Sequence, residues 1–358
     1  MKILRPNRKV AIVLFNLGGP DSLAAVQPFL FNLFNDPAII GIPKLIRTPL
    51  AHFISRRRAK KKAIPIYEEM GGKSPILEQT HAQAKALEEN LSAFAQVKVF
   101  TCMRYWHPMR DEVVAAVKAW GAEHIILLPL YPQLSTTTTI SSVEDWHKGA
   151  KLQGLKTPTS TICCYPTHPE FITAYAQLIR ASYEEASAHG TPRILFSAHG
   201  LPEKIIKKGD PYQWQVEQTT QAIVAKLGID GLDYVNCYQS RVGPLKWIGP
   251  NTEQVIEETA TRNQPIVLAP IAFVSEHSET LVELDIEYKE LAESHGLHHY
   301  FRVPTVATNV HFIAALSDMC LEMDEETRLC SSEGGRICPT PWKKCPMSEN
   351  VFAPGSVS

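Results

Sequence analysis

The chain has 358 residues, 44% of them hydrophobic, which is long for one domain and comfortable for two with real cores. A formal net charge of -1 argues against a dedicated nucleic-acid binder. The short basic start, Met1 to Lys9, has no apolar h-region, and no run of about 18 apolar residues occurs. Neither a signal peptide nor a membrane span is therefore expected, and the expected location is cytoplasmic.

Val10 to Phe15 reads as a buried strand, closed by the Gly and Pro turn Asn16-Leu-Gly-Gly-Pro20, which lacks the glycine spacing of a nucleotide loop. From Phe29 to Ile54 the chain is rich in Phe, Leu and Ile, and Arg56-Arg-Arg-Ala-Lys-Lys-Lys62 follows. Two readings stay open there. One is a pair of core helices with a solvated basic end. The other is an exposed apolar lip, rimmed by cations, that rests peripherally on the inner face of an anionic membrane.

A Gly and Pro loop from Pro65 to Ile76 opens a helix that runs through about Leu91. The strand Val97 to Thr101 delivers Met103-Arg-Tyr-Trp-His-Pro108 at its carboxyl end. A helix from about Arg110 to Trp120 leads to the strand His124 to Leu130, and the hydroxyls of Ser135 to Thr139 are expected to cap the helix after it. Strands at Thr161–Tyr165, Ile194–Phe196, Tyr234–Tyr238, Ile266–Ile271 and Tyr300–Val303 then alternate with helices from about Pro169, Gln213, Asn251 and Asn309. This alternation predicts an α/β protein of two doubly wound parallel-sheet (Rossmann-like) domains with a cleft between them. The expected bounds are 1–140, rejoined by a C-terminal helix at 305–322, then 141–304, then a Cys-rich tail at 323–358. The turns after Phe15 and Phe196 echo each other weakly and hint at two halves built alike.

Two stretches carry candidate chemistry. Ile194 to Phe196 runs into Ser197, Ala198 and His199, which places an imidazole at a strand's carboxyl end beside Gly200. Such a residue takes a proton near neutral pH or binds a metal. After Ile266–Ile271, a helix is expected to start near Ser275 as N-cap, with Glu276 in its first turn. At helical spacing Leu281, Leu284, Tyr288 and Leu291 make an apolar stripe, and Glu276, Glu279, Glu283 and Glu287 an acidic one. Carboxylates four apart repel. A solvated face explains them, and so does a path for a hard cation or for protons at a sheet mouth.

The segments FSAHGLPEK at 196–204, CYQSRVGPLKWIGPNTE at 237–253 and VSEHSETLVELDIEY at 274–288, in that order, resemble ferrochelatases. The likeness runs from about Val10 to about Ser317. It implies insertion of Fe(2+) as substrate into protoporphyrin IX, forming protohaem in the last step of haem biosynthesis. It also implies porphyrin and ferrous iron as partners and makes His199 the proton acceptor or the iron ligand. Glu279 is then its opposite number, and His199 and Glu279 are the metal donors. Glu283 and Glu287 form the path, and His277 supports the site. By the same likeness Leu17, Tyr67, Arg104, Tyr105 and Trp247 border the porphyrin. Arg104 would hold a propionate and Tyr105 pack on the ring. Trp247 is either a hydrophobic plug or a platform for the macrocycle. Rival readings are a chelatase for coproporphyrin or cobalt, and a non-catalytic haem- or iron-binding protein. The oligomeric state is open, with a dimer as one arrangement.

Cys320, Cys330, Cys338 and Cys345 are half of the cysteines, gathered around a segment rich in Gly, Pro and Lys. They lack C-x2-C pairs. Some ferrochelatases carry a [2Fe–2S] cluster near the C-terminus. The animal pattern, with one mid-chain ligand and three in a C-x2-C-x4-C tail, is not reproduced, because the mid-chain match is Thr136. A cluster on all four tail thiolates is expected here, with zinc or no metal as the alternatives. Cys102, Cys163, Cys164 and Cys237 read as core.

Overall fold

The computed structural model describes residues 1–241 and 245–348. Three positions of the Gln239–Pro250 loop and the last ten of the tail therefore lie outside the described residues.

The first half begins with β1 (Lys9–Asn16) and the helices α1 (Val26–Phe34), α2 (Lys44–Arg58), α3 (Ile64–Glu69) and α4 (Ile76–Leu91). Next come β2 (Gln96–Met103), α5 (Arg110–Trp120), β3 (His124–Pro129), α6 (Ser141–Leu152) and β4 (Thr159–Ile162). The second half holds α7 (Pro169–Ser187), β5 (Arg193–His199), α8 (Glu203–Lys207), α9 (Tyr212–Leu227), β6 (Asp233–Gln239) and α10 (Thr252–Thr261). It is completed by β7 (Ile266–Pro270), α11 (Tyr288–Ser294) and β8 (Tyr300–Arg302). Then α12 (Val310–Glu322) and β9 (Leu329–Cys330) return to the first half.

Both sheets are parallel, in the orders β2-β1-β3-β4-β9 and β6-β5-β7-β8. Strand for strand the second order repeats the first four places of the first, so the two halves share one topology. Each order reverses beside its first strand, which puts a switch point at the carboxyl ends of β1 and β5. Buried strands read as unbroken apolar runs, as parallel sheets covered on both faces require, and β3 and β7 are buried throughout.

Alternate residues sort the core. Ile12, Leu14, Phe196 and Val267 face one shared core with Leu87 of α4, Phe171 of α7, Val216 of α9 and Phe312 of α12. Val13 and Leu127 face α5 and α6 instead, and Leu195 and Leu268 face α10 and α11. The sheets thus enclose a common helical layer.

The expected division at residue 140 is displaced. Thr159–Thr161 of β4 pair with Ile125–Leu127 of β3, because α6 is a crossover that returns the chain to the same sheet. The tail is not separate either. Leu329 and Cys330 pair with Thr161 and Ile162, and Lys344 donates its N–H to the Gly209 carbonyl.

The apolar segment divides in two. Val26, Phe29 and Leu30 of α1 are buried with Tyr67 and Tyr105. On α2, by contrast, Leu45 is 91%, Ile46 60% and Phe53 63% exposed. The core reading thus holds for α1, and α2 is an exposed apolar helix.

Candidate active site

β5 ends at His199, and Gly200 follows because a side chain there would meet the Gln239 carbonyl at 2.9 Å and the Trp247 ring at 3.3 Å. The Nδ1–H of His199 donates to the Gly200 carbonyl at 2.7 Å, since a carbonyl only accepts. Nε2 is then the free nitrogen of the neutral ring, and it lies 3.7 Å from Glu279 Oε1. That is too far for a hydrogen bond and close enough for an ion pair when the ring is protonated. The other oxygen, Glu279 Oε2, is buried without a hydrogen-bond partner among the described residues.

The helix carrying Glu279 starts later than expected and is wound differently. Glu279–Glu287 is a π-helix, which passes into α11. Its cap is His277, whose Nδ1 accepts from the N–H groups of Glu279 at 3.1 Å and Thr280 at 3.4 Å. Burial lowers the pKa of His277, which keeps the ring neutral for that role. Ser275, the expected cap, instead donates to Gln83 Oε1 of α4. Glu276 leaves the acidic stripe and pairs with Arg302 at 2.9 Å while accepting the Thr305 N–H. The wider turn also changes the apolar face, burying Val282 while Leu281 is only half-buried.

Glu283 is gripped by four donors. Oε1 accepts from Ser240 N and Tyr288 Oη, each at 3.1 Å, and Oε2 accepts from Ser240 Oγ at 2.6 Å and Gln239 Nε2 at 3.4 Å. Burial and the charge of Glu279 nevertheless raise its pKa, because the desolvated carboxylate faces another. The Tyr288 contact spans five positions, the hydrogen-bond step of a π-helix. Sequence reasoning placed Tyr288 in the apolar stripe, and the polar roles of Gln239 and Ser240 left no signal. Glu287 closes the outer end of the stripe, 3.7 Å from Lys62 Nζ.

Tyr67 reaches this site, with its hydroxyl 3.5 Å from Ser278 Oγ, and its pKa is pushed up to about 12 mainly by burial. Trp247 lies against Gly200, with a buried Nε1 that has no hydrogen-bond partner among the described residues. Arg104 and Tyr105 are tied to other partners, with Tyr105 packed in one cluster with Tyr67. The Arg104 guanidinium is already engaged by Asp36 at 2.7 Å, Ser141 at 2.9 Å and Asp145 at 3.3 Å. The ring of Tyr105 is 1% exposed, and its hydroxyl donates to Asp36 at 2.8 Å. Neither offers a free face to a ligand, because a buried aspartate ties both inward. Leu17 packs on the same cluster beneath the lip.

The cysteines regroup. Cys320 is fully buried in the shared core, where burial drives its thiol pKa up. Cys163 and Cys164, expected as core, are buried but have their sulfurs 3.7 Å apart at the place where the tail docks. Gln215 Nε2 donates to Cys164 Sγ at 3.4 Å and Cys338 Sγ at 3.2 Å. Cys338 shares a hydrogen bond with Cys345, which holds the Cys345 thiol down to about 6 and drives Cys338 up. Among the described residues, no three His, Cys, Asp or Glu side chains are arranged to hold a metal ion.

Residues 9–324 match the family model described as Ferrochelatase. Over 342 residues the chain is 51% identical to a ferrochelatase of Pelagibacter ubique, covering 94% of this chain and 98% of that one. A Caulobacter vibrioides ferrochelatase is 50% identical over 350 residues, covering 97% and 99%. The cobalt-bound sirohydrochlorin chelatase SirB from Bacillus subtilis subspecies spizizenii superposes with a TM-score of 0.52 at 11% identity. That match covers 90% of this chain and 98% of SirB, and it supports the fold alone.

Proposed function

The chain belongs to the ferrochelatase family, and from that premise we propose that His199 and Glu279 are its reacting pair. The protein is an enzyme of the lyase class that inserts ferrous iron into protoporphyrin IX and forms protohaem, the last step of haem biosynthesis. The approach of His199 Nε2 to Glu279, with one Glu279 oxygen buried and unpartnered, carries the assignment.

A flat macrocycle needs a contact of about 3.5 Å on each face, about 7 Å in all. At 3.7 Å, His199 and Glu279 leave no room for a ring between them and serve one face of it. They are partners rather than opposite numbers. As iron enters, the pyrrole protons must leave. Neutral Nε2 accepts a proton, and the imidazolium formed is held by the Glu279 carboxylate. Carboxylate and imidazole are both donors that ferrous iron accepts. Glu283, with its raised pKa, is suited to hold a proton in transit, and with the half-exposed Glu287 it forms the stripe by which metal enters and protons leave. His277 fixes the start of the helix that aims Glu279, and Tyr67 and Trp247 flank the pair.

Two further parts belong to this reading. No helix among the described residues is long and apolar enough to cross a membrane. The exposed apolar side chains of α2, beside the cations of Arg56 to Lys62, suit a peripheral seat on an anionic bilayer. A [2Fe–2S] cluster needs four thiolates. Cys164, Cys338 and Cys345 lie where the tail docks, while Cys320 and Cys330 face the shared core, so a cluster would require these thiols to regroup around it. A bound cluster would tie tail to body, and no step of the reaction runs through it. Anaerobic incubation of the purified chain with ferrous iron and protoporphyrin should yield the metalloporphyrin spectrum, and failure in an active-folded preparation overturns the reading. The same preparation should be coloured and hold about two irons and two acid-labile sulfides. A colourless preparation removes the cluster alone.

A further inference from the structure

The segment that carries the basic run does not simply trail off the lip. Residues 59–63 form a π turn in which Ala59 is buried while Lys60, Lys61 and Lys62 project outward, and α3 continues it. This segment lies along the acidic stripe and touches both of its ends. Tyr67 meets Ser278, next to the innermost carboxylate, and Lys62 meets Glu287, the outermost. Lys60 and Lys61 are exposed and make no ion pair among the described residues, so Lys62 alone of the three reaches a carboxylate of the stripe.

We propose that Lys62 is a displaceable counter-ion of Glu287, occupying the outer carboxylate until a divalent cation replaces it, and so sets the access of metal to the reaction. The proposal rests on reading the acidic stripe as the metal path. Both partners are more than a third exposed, with side-chain accessibilities of 62% for Lys62 and 41% for Glu287, and the contact is 3.7 Å long. Such a pair is weak and exchanges readily. A doubly charged ion outcompetes an ammonium at a carboxylate on charge alone. A lysine also suits the task better than an arginine, because its flexible stem lets a compact charge swing clear. Inside the stripe Glu283 has no such partner. It is held by hydroxyl, amide and backbone donors only, so a cation that passes Glu287 meets no further fixed positive charge among the groups that bond Glu283.

Steady-state insertion by the full chain tests this, with zinc as an air-stable metal and ferrous iron under anaerobic conditions. In Lys62→Met the KM for metal should fall about three- to tenfold while kcat stays within about twofold, and salt should shrink the difference. In a Glu287→Gln background the same substitution should do nothing to KM, since the pair it breaks is already gone. An unchanged or raised KM in Lys62→Met overturns the proposal. So does an equal fall in both backgrounds, which marks a general charge effect. A fall in kcat with KM unchanged also overturns it and makes Lys62 a strap for the lip. If Glu287→Gln alone leaves the metal KM untouched, the stripe is not the path. That failure is visible without Lys62.

Discussion

The mouths of the two sheets are built on one topology and handle charge in opposite ways. At the first, Asp36 accepts from Arg104, Tyr105 and Ser141, and Asp145 pairs with both Arg104 and Arg110, so two cations and two carboxylates cancel in a closed network. At the second, three carboxylates stand in line against one imidazole and one exposed lysine, one oxygen has no partner among the described residues, and one acid is raised by its neighbour. A duplicated framework thus supplies two equivalent positions, and one has become a joint while the other became a reaction site. The first holds the lip at a defined angle. The second holds groups that gain partners only when substrate arrives.

If this contrast is right, substitutions at the two mouths should separate activity from stability. The largest effect is at the second. His199→Ala should cut iron insertion by about 100-fold or more, as loss of a general base does, with porphyrin binding and the melting temperature almost unchanged. Near wild-type turnover in an anaerobic assay would refute the site. At the first mouth, Asp36→Ala leaves buried donors unpaired and should cost about 3 kcal/mol of folding free energy, read by urea unfolding. If that variant is stable but inactive, Asp36 belongs to the chemistry and the contrast collapses.

A smaller effect sharpens the comparison through pH. Glu283 has a raised pKa, so the folded state binds its proton more tightly than the unfolded state does. Stability from this group is therefore present below the ordinary carboxylate range, about 4, and is lost as pH rises through the raised value. Glu283→Gln escapes that loss. Its melting temperature should gain on wild type as pH rises above the ordinary carboxylate range, about 4, although its turnover falls. A difference that does not change with pH would show that Glu283 ionises as freely folded as unfolded. The smallest change in stability should come from Leu45→Ser, Ile46→Ser and Phe53→Ser combined. These exposed positions should shift unfolding by only about 0.5 kcal/mol each while weakening binding to anionic vesicles. A large loss of stability would put α2 in the core.

Much of this was legible in the chain. Unbroken apolar runs such as Ile266 to Leu268 mark parallel strands whatever surrounds them, and a Gly beside His199 marks a crowded strand end. The π-helix was not legible, because a 3.6-residue period was imposed on Glu276 to Glu287 and the true winding follows from a cap at His277. The internal partners of Arg104 were not legible for a related reason. A guanidinium at a sheet mouth looks free until Asp36, nearly seventy positions away, is seen against it. Of the four tail thiols Cys338 and Cys345 meet, and their mid-chain neighbour Cys164 was hidden by its own apolar strand.

One consequence of the last strand concerns the order in which the protein is made. Ser160 of β4 donates to the Thr327 carbonyl beside β9, a partner 167 positions later in the chain. At about 5–20 residues per second of synthesis, the edge of β4 waits roughly ten to thirty seconds for its neighbour. During that interval the first sheet has an uncovered margin able to pair with other nascent chains. β9 therefore acts as a late seal on the earliest-made domain, and a ribosome that stalls before Leu329 leaves a sheet that is folded, open-edged and prone to stick.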